Sequence, residues 1–100
     1  MPDHAQLIRF AGYRPDPGVR NELLARMQEL AAAMRDIPGV FGAQVCTIAE
    51  APEWLVIVSR WQDEASLRNI VDTPAARLLD QVAGLADEER IENLIPAETS

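Results

Sequence analysis

The chain has 100 residues, 48% of them hydrophobic and 25% charged, and its 16 acidic against 9 basic side chains leave a net charge of -7. That length suffices for one packed core but not for a second module, so a single domain spanning 1–100, with its core from about 4 to 96, is expected. The excess negative charge repels phosphate backbones and no basic stripe interleaved with aromatics offsets it, which excludes nucleic acid as a partner.

From Ala5 to Tyr13 the mixture of Leu7, Ile8, Phe10 and Tyr13 lacks a 3.6-residue period and reads as a strand, closed by Arg14-Pro15-Asp16-Pro17-Gly18. Asp16 is expected to cap a helix whose first residue is Pro17 and whose inward stripe is Val19, Leu23, Met27, Leu30 and Met34. Glu22 and Arg26 form an i,i+4 pair on its wet side, and Ile37-Pro38-Gly39 stops it. Val40 to Ile48 and Glu53 to Gln62 read as two strands joined by Ala49 to Pro52, a linker short enough for an antiparallel hairpin. Asp63 is placed to cap a short helix carrying Leu67, Ile70 and Val71. Thr73-Pro74 opens another with Leu78, Leu79 and Val82, ended by Gly84. Glu89 to Ile95 alternates polar residues with Ile91, Leu94 and Ile95 as a last strand. The order βαββαβ predicts a ferredoxin-like α+β fold with a four-stranded antiparallel sheet.

No apolar run approaches the roughly 20 residues that cross a bilayer, so no membrane partner is expected. The start, Met1-Pro2-Asp3-His4, lacks the basic-then-apolar pattern of a secretory signal, which points to the cytoplasm. Cys46 is the one cysteine, which excludes an internal disulfide and a multi-cysteine metal site. In the third strand Trp54, Val56 and Val58 point to one side while Leu55, Ile57 and Trp61 point to the other. Helices from one chain cover only one face of such a sheet, so a second copy is expected over the other, giving a homodimer. Burying even about 300 Å² of apolar surface per chain contributes roughly 7 kcal/mol before association costs.

Trp61-Gln62-Asp63-Glu64-Ala65, through Leu67 to Thr73-Pro74, resembles the antibiotic biosynthesis monooxygenase family, with the Trp-x-Asp-x-x-x-Leu spacing carrying the likeness. The element order matches that family from Ala5 to Ile95, and the resemblance implies a dimeric α+β barrel. Family members include oxygenases that oxidise polycyclic phenols and anthrones to quinones without metal or flavin, together with quinol oxidases and isomerase-like signal processors. Many relatives carry His shortly after the Leu and another after the Thr-Pro, where this chain has Ile70 and Ala75. The haem-degrading relatives need a His on the later helix, and none lies between Pro74 and Ser100, so haem degradation in that style is not expected.

Four residues are candidates for catalysis. Trp61 ends a strand before a capped helix, where an aromatic either lines a pocket between sheet and helices or packs as core. Arg60, like Arg9, lies on a strand expected to be mostly buried and needs an acidic partner such as Glu88, Glu89 or Glu92, an open cavity or a ligand anion. Tyr13 either donates a hydrogen bond to a substrate oxygen or packs over the Pro15 turn. Asn69 either orients a substrate carbonyl or is a plain exposed amide. His4 is the single imidazole but lies close to the terminus. No phosphate loop, paired carboxylates, nucleophile with a nearby His, or His/Cys metal spacing stands out, so neither cofactor nor metal is expected. Two functions fit: cofactor-independent oxidation of a small phenol, quinol or anthrone-like substrate by dioxygen, or a non-catalytic dimeric barrel that binds a small apolar ligand or serves as an accessory subunit.

Overall fold

In a computed structural model that describes residues 5–97, the chain runs β1 (Leu7–Pro15), α1 (Arg20–Met34), β2 (Val40–Ile48) and β3 (Ala51–Trp61). A 3-10 helix (Ala65–Ile70), α2 (Pro74–Gly84) and β4 (Ala86–Leu94) complete it. His4, the single imidazole, lies outside the described residues. The strands pair antiparallel in the order β2-β3-β1-β4, the ferredoxin-like arrangement that the element order predicts.

Packing follows the periodicities of the sequence. Leu23, Met27, Leu30, Ala31 and Met34 of α1, with Ala75 and Val82 of α2, are buried against Leu7, Ala11 and Tyr13 of β1 and Leu55, Ile57 and Trp61 of β3. Each of these strand residues is an even number of positions from the next on its strand, so all point to one face of the sheet. Leu67 and Ile70 of the 3-10 helix pack on the same core, whereas Val71, expected beside them, is 68% exposed.

Local chemistry sets the element ends. Gly18 adopts φ 83°, outside the helical region, and the Val19 N–H bonds the Asp16 carbonyl at 3.2 Å. Asp16-Pro17-Gly18 therefore form a turn, and α1 starts at Arg20, without a side-chain cap, rather than at Pro17. On its wet side Arg26 pairs with Glu29 at 2.7 Å instead of with Glu22. Ile48 pairs with Ala51, so the hairpin turn shortens to Ala49-Glu50 and β3 begins two residues before Glu53. Asp63 does cap the 3-10 helix: its Oδ1 accepts from the Ser66 backbone N–H at 2.9 Å and from the Ser66 hydroxyl at 2.8 Å. Thr73-Pro74 opens α2 as expected, although the Thr73 hydroxyl turns back to the Ile70 carbonyl at 2.7 Å. β4 starts at Ala86, three residues before Glu89, and Ile95 falls beyond its end.

The outer face of the sheet carries Ile8 and Phe10 of β1 and Trp54, Val56 and Val58 of β3, with Cys46 of β2 paired to Val56. The Phe10 and Trp54 rings close over Gly12, where a Cβ would come within 3.1 Å of one and 3.4 Å of the other. Val56 is only 2% exposed yet stands outside the helix-side core. This face holds an aromatic and aliphatic layer of its own.

Gly39, after α1, combines φ 91° with a close approach of the Ser66 side chain, which a Cβ would strike; Gly18 has a similar φ but open space around it. Gly39→Ala is expected to lower unfolding free energy by about 1–3 kcal/mol, as a forced left-handed residue with a clash does. Gly18→Ala should lower it by only about 1 kcal/mol, the bare backbone penalty. Urea denaturation of the two variants checks the order.

Candidate active site

A cavity of about 100 Å³ lies between the inner sheet face and the helices. Its floor is Arg9 and Ala11 of β1 with Ile57, Ser59 and Trp61 of β3, alternate residues on neighbouring strands. Leu30 and Met34 of α1, Leu67 and Ile70 of the 3-10 helix, and Leu79 of α2 close it from above. Every group in that roof is aliphatic or a thioether, so polar chemistry is confined to the floor.

Trp61 is fully buried and its backbone is pinned: its carbonyl accepts from the Gln6 N–H at 3.0 Å, and Leu7 and Val40 flank it across the two strand pairings. Two residues back on the same face, the Ser59 hydroxyl oxygen accepts the indole N–H at 2.8 Å. Ser59 is 1% exposed, and this bond satisfies the donor of a buried indole. Directly opposite Ser59 stands Arg9, and opposite Arg9 on its other side stands Asn93. Arg9 donates from Nη1 to the Asn93 amide oxygen at 2.9 Å. The carboxylate partner anticipated for Arg9 is not what it meets. Glu88 pairs with Arg14 at 3.2 Å and Glu92 with Arg90 at 3.3 Å.

Of the four sequence candidates, the structure brings only Trp61 to the cavity. Arg60 follows Ser59 on β3 and so points to the opposite face, where its guanidinium lies over Gly42 of β2. Asn69 is exposed and donates from Nδ2 to the Pro38 carbonyl at 2.9 Å, fastening the 3-10 helix to the turn after α1. Tyr13 is 3% exposed on the inner face, but four residues along β1 from Arg9 place it about 13 Å away. Burial, and then the negative charge of Glu89, push its phenol above the usual 10.0, while the positive charge of Arg9 pulls the other way. Tyr13 is a neutral hydroxyl at physiological pH. Ser59 escaped the sequence reading, although strand parity makes it the polar residue between Ile57 and Trp61 on the inner face of β3.

A profile of the family described as antibiotic biosynthesis monooxygenase matches residues 7–79, a segment that contains every residue lining the cavity. No curated protein matches the chain. Among solved structures, a protein of Mycobacterium tuberculosis is 20% identical, with a TM-score of 0.81 over 94% of this chain and 97% of its own. One from Pseudomonas aeruginosa is 18% identical, with a TM-score of 0.81 over 98% of this chain and all 100% of its own. A solved antibiotic biosynthesis monooxygenase is 18% identical, with a TM-score of 0.80 over 92% of this chain and 99% of its own. At such identities these structures share the fold.

Tyr13 is the sole tyrosine, so tyrosinate absorbance reports it alone. In native protein the absorbance should rise at a higher pH than in urea-unfolded chain, whose phenol titrates near 10.0. Because the folded state holds the phenolic proton more tightly, the stability this provides is complete below pH 10.0 and falls as pH climbs through the native value. Coincident titrations of folded and unfolded protein would contradict the buried placement of Tyr13.

Proposed function

The chain belongs to the antibiotic biosynthesis monooxygenase family, and from that premise we propose that it oxidises a small aromatic phenol or quinol with dioxygen in the cavity beside Trp61, without metal or flavin. The observation that carries this reading is the cavity itself, an aliphatic roof over a floor with a single polar row. In a phenol oxidation of this kind the substrate loses a proton and supplies all the electrons; one oxygen atom enters the ring to give a quinone and the other leaves as water. The protein's part is to hold the ring against the indole and to exclude water, so that its few polar contacts act in a low dielectric. Tyr13 and Asn69 support the site from outside it: Asn69 holds the 3-10 part of the roof in place, and Tyr13 extends the inner face beyond Ala11.

A second copy completes the molecule. The layer built by Phe10, Trp54, Val56 and Val58 has the apolar character of a buried surface, and the helices all lie on the other side. Sedimentation equilibrium should return twice the 11.1 kDa chain mass, and Val58→Asp should shift it to one chain. A monomeric wild-type protein would remove this part of the reading.

One observation favours the non-catalytic alternative. Ile70 lines the cavity and Ala75 is fully buried, at positions where relatives often carry histidine, and no carboxylate or imidazole stands among the lining residues. A proton acceptor would then have to be water or oxygen itself, whereas a ligand-binding barrel needs none. Oxygen uptake by chelator-treated protein, offered phenols, quinols and anthrones against a heat-killed control, separates the two. Protein-dependent uptake is the expected result, and Ala11→Leu, which fills the cavity, should abolish it while lowering the unfolding free energy by no more than about 1–3 kcal/mol. Absence of uptake with thermal stabilisation by the same compounds would establish the binding reading instead.

A further inference from the structure

We propose that Arg9 and Ser59 form an oxyanion subsite in the cavity floor, and that its ligand is a single-ring aromatic bearing one anionic oxygen. The inference rests on the reading of this cavity as the ligand site and names what that site takes.

Size sets the ring count. The cavity holds about 100 Å³. An apolar cavity of about 150 Å³ is known to accommodate benzene. At about two thirds of that volume the cavity takes at most one ring, whose substituent must lie along the Arg9 and Ser59 edge, and three fused rings are well beyond it. Trp61 forms the aromatic wall against which such a ring packs.

Charge and hydrogen bonding set the substituent. The row of the inner sheet face at the middle of the cavity floor is apolar: Val45, Ile57, Ala11 and Ile91 lie side by side across the four strands. The adjacent row reads Ala43, Ser59, Arg9 and Asn93, and it alone brings a charge to the cavity. Arg9 carries five N–H donors in a planar fork, and among the described residues it spends one, on a neutral amide. A guanidinium at the cavity edge that meets no carboxylate among the described residues can take an anion. Ser59 points the same way. Its oxygen already accepts the Trp61 indole N–H, so the hydroxyl hydrogen is what remains, and it finds no acceptor among the described residues. Direct partners on neighbouring antiparallel strands place their Cβ atoms about 5 Å apart, so the Ser59 hydroxyl and the Arg9 side chain, whose Nη1 reaches to Asn93 on the other side, border one cavity. The indole N–H polarises that hydroxyl as a donor. Two donors, one of them cationic, at an aliphatic site fit a phenolate or a carboxylate oxygen, and both give the same contacts.

The test is equilibrium binding of 4-nitrophenol, benzoate and nitrobenzene to the full chain, followed by quenching of tryptophan fluorescence and, for 4-nitrophenol, by its own absorption spectrum. The phenolate should bind about ten- to a hundredfold more tightly than neutral nitrobenzene, the range of charge-assisted hydrogen bonds. Bound 4-nitrophenol should ionise at a lower pH than free 4-nitrophenol, because the site favours the anion. Arg9→Gln should erase both effects, Arg9→Lys should restore part of them, and Ser59→Ala should weaken anion binding severalfold; urea midpoints identify any variant that has lost its fold. Tighter binding of 4-nitrophenolate than of benzoate assigns the subsite to a phenolate, and the reverse order to a carboxylate. Nitrobenzene binding as tightly as 4-nitrophenolate, or unchanged anion affinity in a folded Arg9→Gln, overturns the subsite and leaves the cavity reading intact. Binding of none of the three overturns both. Tight anion binding without oxygen uptake overturns the catalytic reading and keeps the subsite.

Discussion

The two-residue period of β3 is the constraint from which the rest of the molecule follows. Leu55, Ile57, Ser59 and Trp61 face the helices, and Trp54, Val56, Val58 and Arg60 face away, so a slip of one residue would exchange the two sets completely. Both ends of the strand are fixed against that slip. At one end the two-residue turn pairs Ile48 with Ala51. At the other, Trp61 is paired with Leu7 and Val40, and the next residue, Gln62, donates its N–H to the Gly39 carbonyl. The register shift between Val40 and Gly42 leaves one extra residue in β2, and the shift between Thr47 and Ile48 leaves Pro52 to Trp54 as extra residues in β3, so the pairing is regular from Leu55 to Arg60.

With the register held, the chemistry of the cavity reduces to one row of the sheet. Arg9 and Ser59 meet because β1 and β3 pair there, and Trp61 reaches Ser59 because both lie on one face of one strand, two residues apart. The surrounding aliphatic groups lower the local dielectric, which strengthens each of these polar contacts and raises the cost of leaving any of them unmet. Antibiotic biosynthesis monooxygenases supply the scaffold, and this chain's own floor residues supply the polarity.

The elements were legible in the sequence because apolar spacing is a local property. The stripe from Leu23 to Met34, the paired strands, the Asp63 cap and the Thr73-Pro74 opening needed no knowledge of distant residues. Strand parity also separated Trp61 from Trp54. It would have separated Arg60 from Trp61 as well, since neighbours on a strand face apart, and adjacency in sequence is a poor guide to adjacency in a sheet. What local pattern cannot give is register. That Arg9 rather than Arg60 enters the cavity follows from parity, but that Arg9 meets Ser59 and Asn93, and that Tyr13 sits too far along the same strand, follows only from which residues pair across β1, β3 and β4. The start of α1 was missed for a different reason: Asp16-Pro17 is a good helix opening, and only the left-handed backbone at Gly18 turns it into a separate turn.

The two faces of the sheet are not independent, because a sheet is one backbone thick. Arg9 sits between Ile8 and Phe10, and Ser59 between Val58 and Arg60, so each polar residue of the cavity floor is flanked by residues of the outer face. Gly12, next but one to Phe10, admits the Phe10 and Trp54 rings onto the backbone itself. Whatever packs on that aromatic layer bears directly on the peptide planes that orient Arg9 and Ser59. A second copy seated there would thus contribute to the geometry of the cavity without placing any residue in it. If such a copy is there, its removal should first be felt as a loosening of the Arg9 and Ser59 row, since central strands hold their pairing but lose the packing that keeps side chains in single rotamers.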